Sequence, residues 1–376
     1  MSVLQVDHAG LLDLFVRAYL CGVSLFAQGA TGIGKSYTAV DAGEVLADKL
    51  HLEGVALWPE VDVGKFNLVD LRLSQFDAVD MRGFPMVKDG AVTWYAPDFF
   101  SLPPEAKGYY WFDELNLAPP LIQASAYSVI WDRRSGNKAL PTGMGVAAGG
   151  NRIEDKASIF DLARPLANRF IWCELQVPTE EAWCNWAMNR GLDARIVGFV
   201  KQNPNYLHYT LINLGRTDGD TALASANGEK AFPTPRSWEL ASKLITGVRD
   251  LAVVQNLVSA AVGPATAALF IGFAKLVAEI DIDAILANPE KSALPDKIDR
   301  LYALITALAE RFRSKPDKDV LKKVMTLSGR IAPEFGVLLL RMVKAQAFNA
   351  GGTIKSAFSA LLRECGLVDK FKKYLI

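Results

Sequence analysis

The chain has 376 residues, 51% hydrophobic and 10% aromatic, which is enough for two or three packed domains and excludes a disordered polymer. Lys plus Arg equals Asp plus Glu, 41 against 41, so nothing in the overall charge steers the chain toward nucleic acid or an anionic membrane, although a local basic pore stays open. Cys21, Cys173, Cys184 and Cys365 form no C-x-x-C pair and stand in no metal-ligand spacing with His8, His51 or His208; buried reduced thiols are expected, and no zinc.

No charged and apolar leader precedes a small-residue cleavage site at the N-terminus, so the cytoplasm is the expected location. Residues 7–20 place Leu11, Leu12, Leu14, Phe15, Ala18 and Tyr19 on one helical face behind an Asp7 cap. An apolar run then ends at Phe26 and Ala27 and leads into Gly29-Ala30-Thr31-Gly32-Ile33-Gly34-Lys35-Ser36, with Tyr37 next and a helix expected over 35–49. That stretch fits G-x-x-x-x-G-K-[ST] in a strand, loop, helix context. The glycines let successive backbone N–H groups turn inward around a phosphate, and the helix adds the positive end of its dipole. Lys35 would reach the β- and γ-phosphates, and the Ser36 hydroxyl would ligate Mg²⁺. The first helix would pack beside the nucleotide.

VDLRLSQF at 69–76 predicts a second strand, and Asp89-Gly90 between two short apolar runs predicts a hairpin within 82–100. It reads as an insertion into a compact core, serving either as an ordinary surface hairpin or as a pore or substrate loop. YYWFDE at 109–114 predicts a buried parallel strand with two carboxylates at its C-terminal end. Acids are poor strand and core residues, so their place at a strand exit is informative. Asp113 can hold Mg²⁺ through water, opposite Ser36, and Glu114 can orient and polarise the water that attacks the γ-phosphate. The alternative is a helix-capping acid pair ahead of Pro119-Pro120.

A helix is expected over 119–132, and MGVAAGG at 144–150 reads as a small-residue strand ending at Asn151. That amide could bond the attacking water or the γ-phosphate, or be an ordinary turn residue. FIWCEL at 170–175 is the fifth strand, which makes residues 1–177 an α/β core with a five-stranded parallel sheet. From 178 helical patterns take over, beginning with a Thr179 cap. Residues 204–234 are loop-rich, and Pro235 opens the helix RSWELASKLI. The uncharged segment 251–274 approaches the length of a membrane span, but its Gly263-Pro264 break makes it a buried helical hairpin. A weak linker at 287–296 divides a helical lid, 178–286, from a C-terminal helical block, 287–376.

With these anchors placed, residues 20–245 resemble the MoxR-like and dynein-related branch of the AAA+ ATPases, a group of P-loop proteins. The resemblance rests on the loop 29–36, FDELNLAPP, the strand ending GGN, LANRF and TPRSWE, in that order and spacing. It implies ATP and Mg²⁺ as cofactors, with ATP between neighbouring subunits of a homo-oligomeric ring, usually a hexamer. Asn151 would then sense the γ-phosphate, Arg169 would act in trans on the neighbour's γ-phosphate, and Arg236 would sense nucleotide in cis. As residues alone, Arg169 could instead be a surface ion-pair residue and Arg236 a helix-start arginine, the lesser alternatives. Leu117 stands where the family often has arginine, and Arg164 where it often has glutamate, so Arg164 is a candidate second trans arginine. The hairpin agrees with the insert this branch carries, and a von Willebrand A domain protein is the partner the resemblance implies.

Three functions compete. The leading one is a ring ATPase that remodels or assembles a protein partner. A DNA-acting motor or a nucleotide-driven restriction subunit is opposed by the neutral charge and by the absence of a basic, aromatic-interleaved stretch. A small-molecule kinase is opposed by the acid pair with its water-polarising Glu114.

Overall fold

The computed structural model describes residues 3–152, 160–211 and 230–374. The chain divides into two compact units, Met1–Val177 and Pro178–Ile376. The first runs β1 (Leu4–Val6), α1 (His8–Cys21), β2 (Ser24–Gly29), α2 (Lys35–Lys49), β3 (Val55–Leu57), β4 (Phe66–Arg72), α3 (Ala78–Arg82), β5 (Phe84–Lys88) and β6 (Ala91–Tyr95). It continues through β7 (Lys107–Asp113), α4 (Pro120–Tyr127), β8 (Arg134–Ser135), β9 (Lys138–Ala139), β10 (Gly143–Gly150), α5 (Arg164–Ala167) and β11 (Phe170–Leu175).

Seven of these strands form one parallel sheet in the order β1-β11-β2-β10-β7-β4-β3. The α/β class is as expected, but the sheet has seven strands where five were predicted. The two extra strands, β1 and β3, have three residues each and lie at the two edges, too short for any alternation to show in sequence. β4 also starts at Phe66, three residues ahead of its predicted beginning.

β7 explains why both faces of the sheet are covered. Tyr109 and Trp111 project into one hydrophobic cluster with α1 and α2, while Tyr110 and Phe112 project into the other with α4. All four are at most 1% exposed. Burial of each such ring is worth about 2 kcal/mol or more. Their bulk dictates the composition of the neighbouring strand. A Cβ on Gly149 would come within 2.6 Å of Trp111, and one on Gly150 within 2.6 Å of Phe26. The run GVAAGG is therefore small because it lies between two aromatic strands, β2 and β7.

The hairpin β5–β6 turns at Asp89 and Gly90, both with positive φ, as the Asp-Gly pair predicts. Its side chains Met86, Val87 and Val92 are exposed, so core packing does not account for them. Asp7 caps α1, accepting from the Gly10 N–H, also as read from sequence. Cys173 and Cys184 are buried, and burial pushes both thiols up to about 12. Cys21, in contrast to the expectation for all four, is exposed at the last turn of α1.

The second unit is helical among the described residues, from α6 (Glu180–Asn189) and α7 (Ala194–Gln202) to Leu367–Phe371. Thr179 caps α6, and Thr234 caps the helix Pro235–Ile245. The uncharged segment forms two helices, Leu251–Val262 and Pro264–Ala278, broken at Gly263 as expected. No described helix is long and apolar enough to cross a membrane. Residues on both sides of the expected division at 286/287 share one core, from Trp183 through Phe270 and Leu304 to Phe371. The loop-rich reading of 204–234 falls partly on 212–229, outside the described residues.

Within this unit lies a buried ionic knot. Asp193 is 0% exposed, and Arg195 forks onto it, Nε donating to Oδ1 at 2.9 Å and Nη2 to Oδ2 at 2.8 Å. Arg313 reaches the same Oδ2 at 3.3 Å and Glu310 at 2.7 Å. The remaining Arg195 donors go to the Val248 and Ile245 carbonyls, so the charges are matched and hydrogen-bonded.

Candidate functional site

Three adjacent strands converge on the loop. β10 lies between β2 and β7, with Ala148 level with Phe26 on one side and Phe112 on the other. The loop at 29–36 leaves β2, Asn151 follows β10, and Asp113 ends β7, so chain order 2, 7, 10 becomes spatial order 2, 10, 7 at one sheet edge. That carboxyl-terminal edge is where open α/β sheets bind ligands.

The loop itself turns through Gly32 and Gly34, with φ of 75° and 103°, a conformation that favours glycine. Ala30, Gly32 and Ile33 are buried, Thr31 is half-buried, and Gly29 packs so closely on the end of β11 that a Cβ would sit 2.9 Å from the Leu175 carbonyl oxygen. Lys35, 9% exposed, donates to the Gly29 carbonyl at 2.7 Å, the Ala30 carbonyl at 3.0 Å and Asn151 Oδ1 at 3.2 Å. One residue on, the Ser36 hydroxyl donates to Asp113 Oδ2 at 2.8 Å. Tyr37 is half-buried in the first turn of α2.

Glu114 lies just beyond β7 in the left-handed region, φ 57° and ψ 31°. A non-glycine residue there is uncommon; among the described residues His51, Asp89 and Arg133 share it. The turn separates its carboxylate from that of Asp113 and brings it to the Ser74 hydroxyl, which donates to Oε2 at 2.5 Å. Asp113 Oδ1 accepts from the Glu114 N–H at 2.9 Å and helps hold the corner.

Three contributors were not read from the sequence. Asn116 is 7% exposed and clamps the backbone of Asn151 in both directions, donating to its carbonyl at 2.7 Å and accepting from its N–H at 3.1 Å. Its signal was present in FDELN, two residues past the acid pair. Ser74 had none, since only the sheet brings it to Glu114. Asp70 on β4 was likewise silent. Burial of its carboxyl beneath neighbouring atoms, reinforced by Asp113 and Glu114 and opposed by Arg72, pushes it up to about 6, although the residue keeps an exposed surface.

The arginines lie elsewhere. Arg169 precedes β11, its guanidinium 4.5 Å from the ring centre of Trp131 and 5.2 Å from that of Tyr127, a cation–π arrangement, and it forms no ion pair among the described residues. Arg164 is exposed at the start of α5, and Arg236 is exposed in the first turn of Pro235–Ile245, in the second unit. Lys35, Ser36, Asp113 and Asn151 are thus brought together directly, with Glu114 beside them; the arginines are not part of that cluster within unit 1's described contacts.

No protein-family model and no curated protein matches the chain. Among solved structures it is similar to a DNA polymerase III gamma subunit-related protein from Thermotoga maritima, at 11% identity over 94% of this chain and 92% of that one, TM-score 0.32. It is also similar to NtrX from Brucella abortus in complex with ATP, at 13% identity over 97% of this chain and 70% of that one, TM-score 0.34. For the ORC2 protein of Aeropyrum pernix the identity is 13%, over 96% and 85%, with a TM-score of 0.32.

Proposed function

We propose that the chain is a Mg²⁺-dependent ATPase of the AAA+ class, which binds ATP on the loop 29–36 and hydrolyses its terminal phosphoanhydride bond. The observation that carries this reading is the pairing of the Ser36 hydroxyl with Asp113 at 2.8 Å while Lys35, one residue away, meets Asn151 at 3.2 Å. A hydroxyl and a carboxylate side by side are hard oxygen donors of the kind Mg²⁺ takes. When bound, magnesium neutralises charge on the phosphates.

The chain's own groups do the rest. Backbone N–H groups from Gly29 to Ser36 cradle the phosphates, and Tyr37 continues the helix whose dipole faces them. The Lys35 ammonium follows the terminal phosphate, and Asn151, fixed by Asn116, donates its amide there. Glu114 takes the proton of the attacking water once it leaves Ser74.

The finer reading follows the family resemblance. The protein works as a MoxR-like ring, a hexamer, that remodels a protein partner and engages a von Willebrand A domain protein. Arg169 reaches the neighbouring subunit's γ-phosphate, with Arg164 beside it in the chain, and Arg236 senses nucleotide in cis. The position of its guanidinium over Trp131 and Tyr127 supports this role for Arg169, because the rings hold the group without consuming its charge in an ion pair among the described residues.

The test is phosphate release by wild type and Lys35→Ala, with particle mass followed over a concentration series. Turnover that rises with assembly and disappears in Lys35→Ala supports the reading. Normal turnover from a monomer at every concentration would contradict catalysis in trans, and stimulation by DNA with a steep salt dependence would favour a DNA-acting motor.

A further inference from the structure

The first helix does more than cover the sheet. His8 is the first residue of α1, half-buried, and its Nε2 lies 2.7 Å from the carbonyl oxygen of Ile33 in the middle of the loop. A carbonyl only accepts, so Nε2 carries the proton in this contact. The Ile33–Gly34 peptide is planar and trans, which sets its C=O and N–H in opposite directions. Holding that carbonyl toward His8 therefore turns the Gly34 N–H the other way.

Three further features make this a built contact. Gly34 has φ 103°, a conformation in which the backbone would otherwise be free to rotate between several wells. A Cβ on Gly34 would lie 3.2 Å from His8 Nε2, so the glycine also admits the ring. His8 is itself anchored: Asp7 caps its helix, and β1 just before it is paired with β11 through Leu4 with Cys173 and Val6 with Leu175. The contact thus ties the sheet's edge strand to the loop.

We infer that His8 is a positioning residue of the phosphate loop, its Nε2–H fixing the Ile33–Gly34 peptide so that the Gly34 N–H is aimed at a phosphate oxygen before nucleotide arrives. This rests on the nucleotide-binding reading above. It adds a side chain outside the G-x-x-x-x-G-K-[ST] stretch to the anion site and assigns it a donor function that shape alone does not supply. His8 does not touch the reacting atoms in this account. Its effect is exerted on affinity through loop order.

The experiment compares wild type, His8→Phe, which keeps a ring but has no donor, and His8→Gln, which keeps an N–H donor. Two quantities are read: the Kd for ADP, and hydrogen exchange of the 29–36 amides without nucleotide. His8→Phe should weaken ADP binding by about fivefold to tenfold, the effect of one lost hydrogen bond, and accelerate loop exchange. His8→Gln should recover most of both, with melting temperatures of the two variants close to one another. Equal ADP affinity and equal exchange in wild type and His8→Phe would overturn the inference, as would equal losses in Phe and Gln variants. Wild-type protein that binds no ADP would overturn the nucleotide reading as well, whereas normal wild-type binding with an unaffected His8→Phe variant would overturn this one alone.

Discussion

Asp113 and Asp193 are two aspartates in ordered, crowded surroundings, one in each compact unit, and their partners differ. Asp193 is fully buried and gives both oxygens to the Arg195 guanidinium, with Arg313 added, so its charge is consumed within the fold. Asp113 is half-buried, meets the Ser36 hydroxyl and the Glu114 N–H, and forms no ion pair among the described residues. A carboxylate matched by a guanidinium holds structure together, whereas one matched by neutral donors keeps charge available for a cation. The contrast separates an acid whose charge is matched within the fold from one that meets only neutral donors.

The largest effect that would sharpen this contrast is on turnover. Asp113→Asn should lower phosphate release at least about a hundredfold while shifting the unfolding midpoint little, since several kcal/mol of charge stabilisation are lost with the metal. Loss of stability in place of activity would make Asp113 a structural residue. Asp193→Ala should do the converse. Leaving Arg195 buried without its counter-ion should cost about 3–5 kcal/mol in denaturant unfolding of the helical unit. An unchanged midpoint would erase the distinction.

A smaller effect is expected at Arg169. Trp131→Ala removes the nearer of the two rings under the guanidinium and should lower phosphate release about two- to fivefold, with ADP affinity unchanged. A change in ADP affinity instead would place Arg169 outside the trans role proposed for it.

The smallest prediction concerns Asp70, whose folded value is raised above the ordinary 3.8 to about 6. The folded protein then holds a proton that the unfolded chain has released, so this contribution to stability is present below pH 3.8 and is lost as pH rises through about 6. In metal-free protein, Asp70→Asn should melt above wild type at pH 8, with the difference closing toward pH 4. A difference that does not vary with pH would assign the effect to shape rather than charge.

Much of the loop site was legible in the sequence because it is local. Gly29 to Ser36 carry their geometry within eight residues, and an acid pair at the end of YYWF cannot be buried with the rings before it. Asn151 was legible as a polar tip on a strand of small residues. What was missed is non-local. Ser74 meets Glu114 only through the adjacency of β4 and β7, His8 meets Ile33 only because β1 joins the sheet edge, and the Asp193 knot needs Arg313 from a helix far along the chain. The two edge strands, three residues each, are specified by pairing partners and carry no period of their own.

The proposed role of Glu114, activating water in a nucleotide-assembled ring, is tested most directly by phosphate release from wild type and Glu114→Gln, with particle mass measured with and without ATP and Mg²⁺. Glu114→Gln should lose turnover yet form a ring that ATP stabilises. Unchanged turnover, or a particle that remains monomeric with ATP and Mg²⁺, would contradict it.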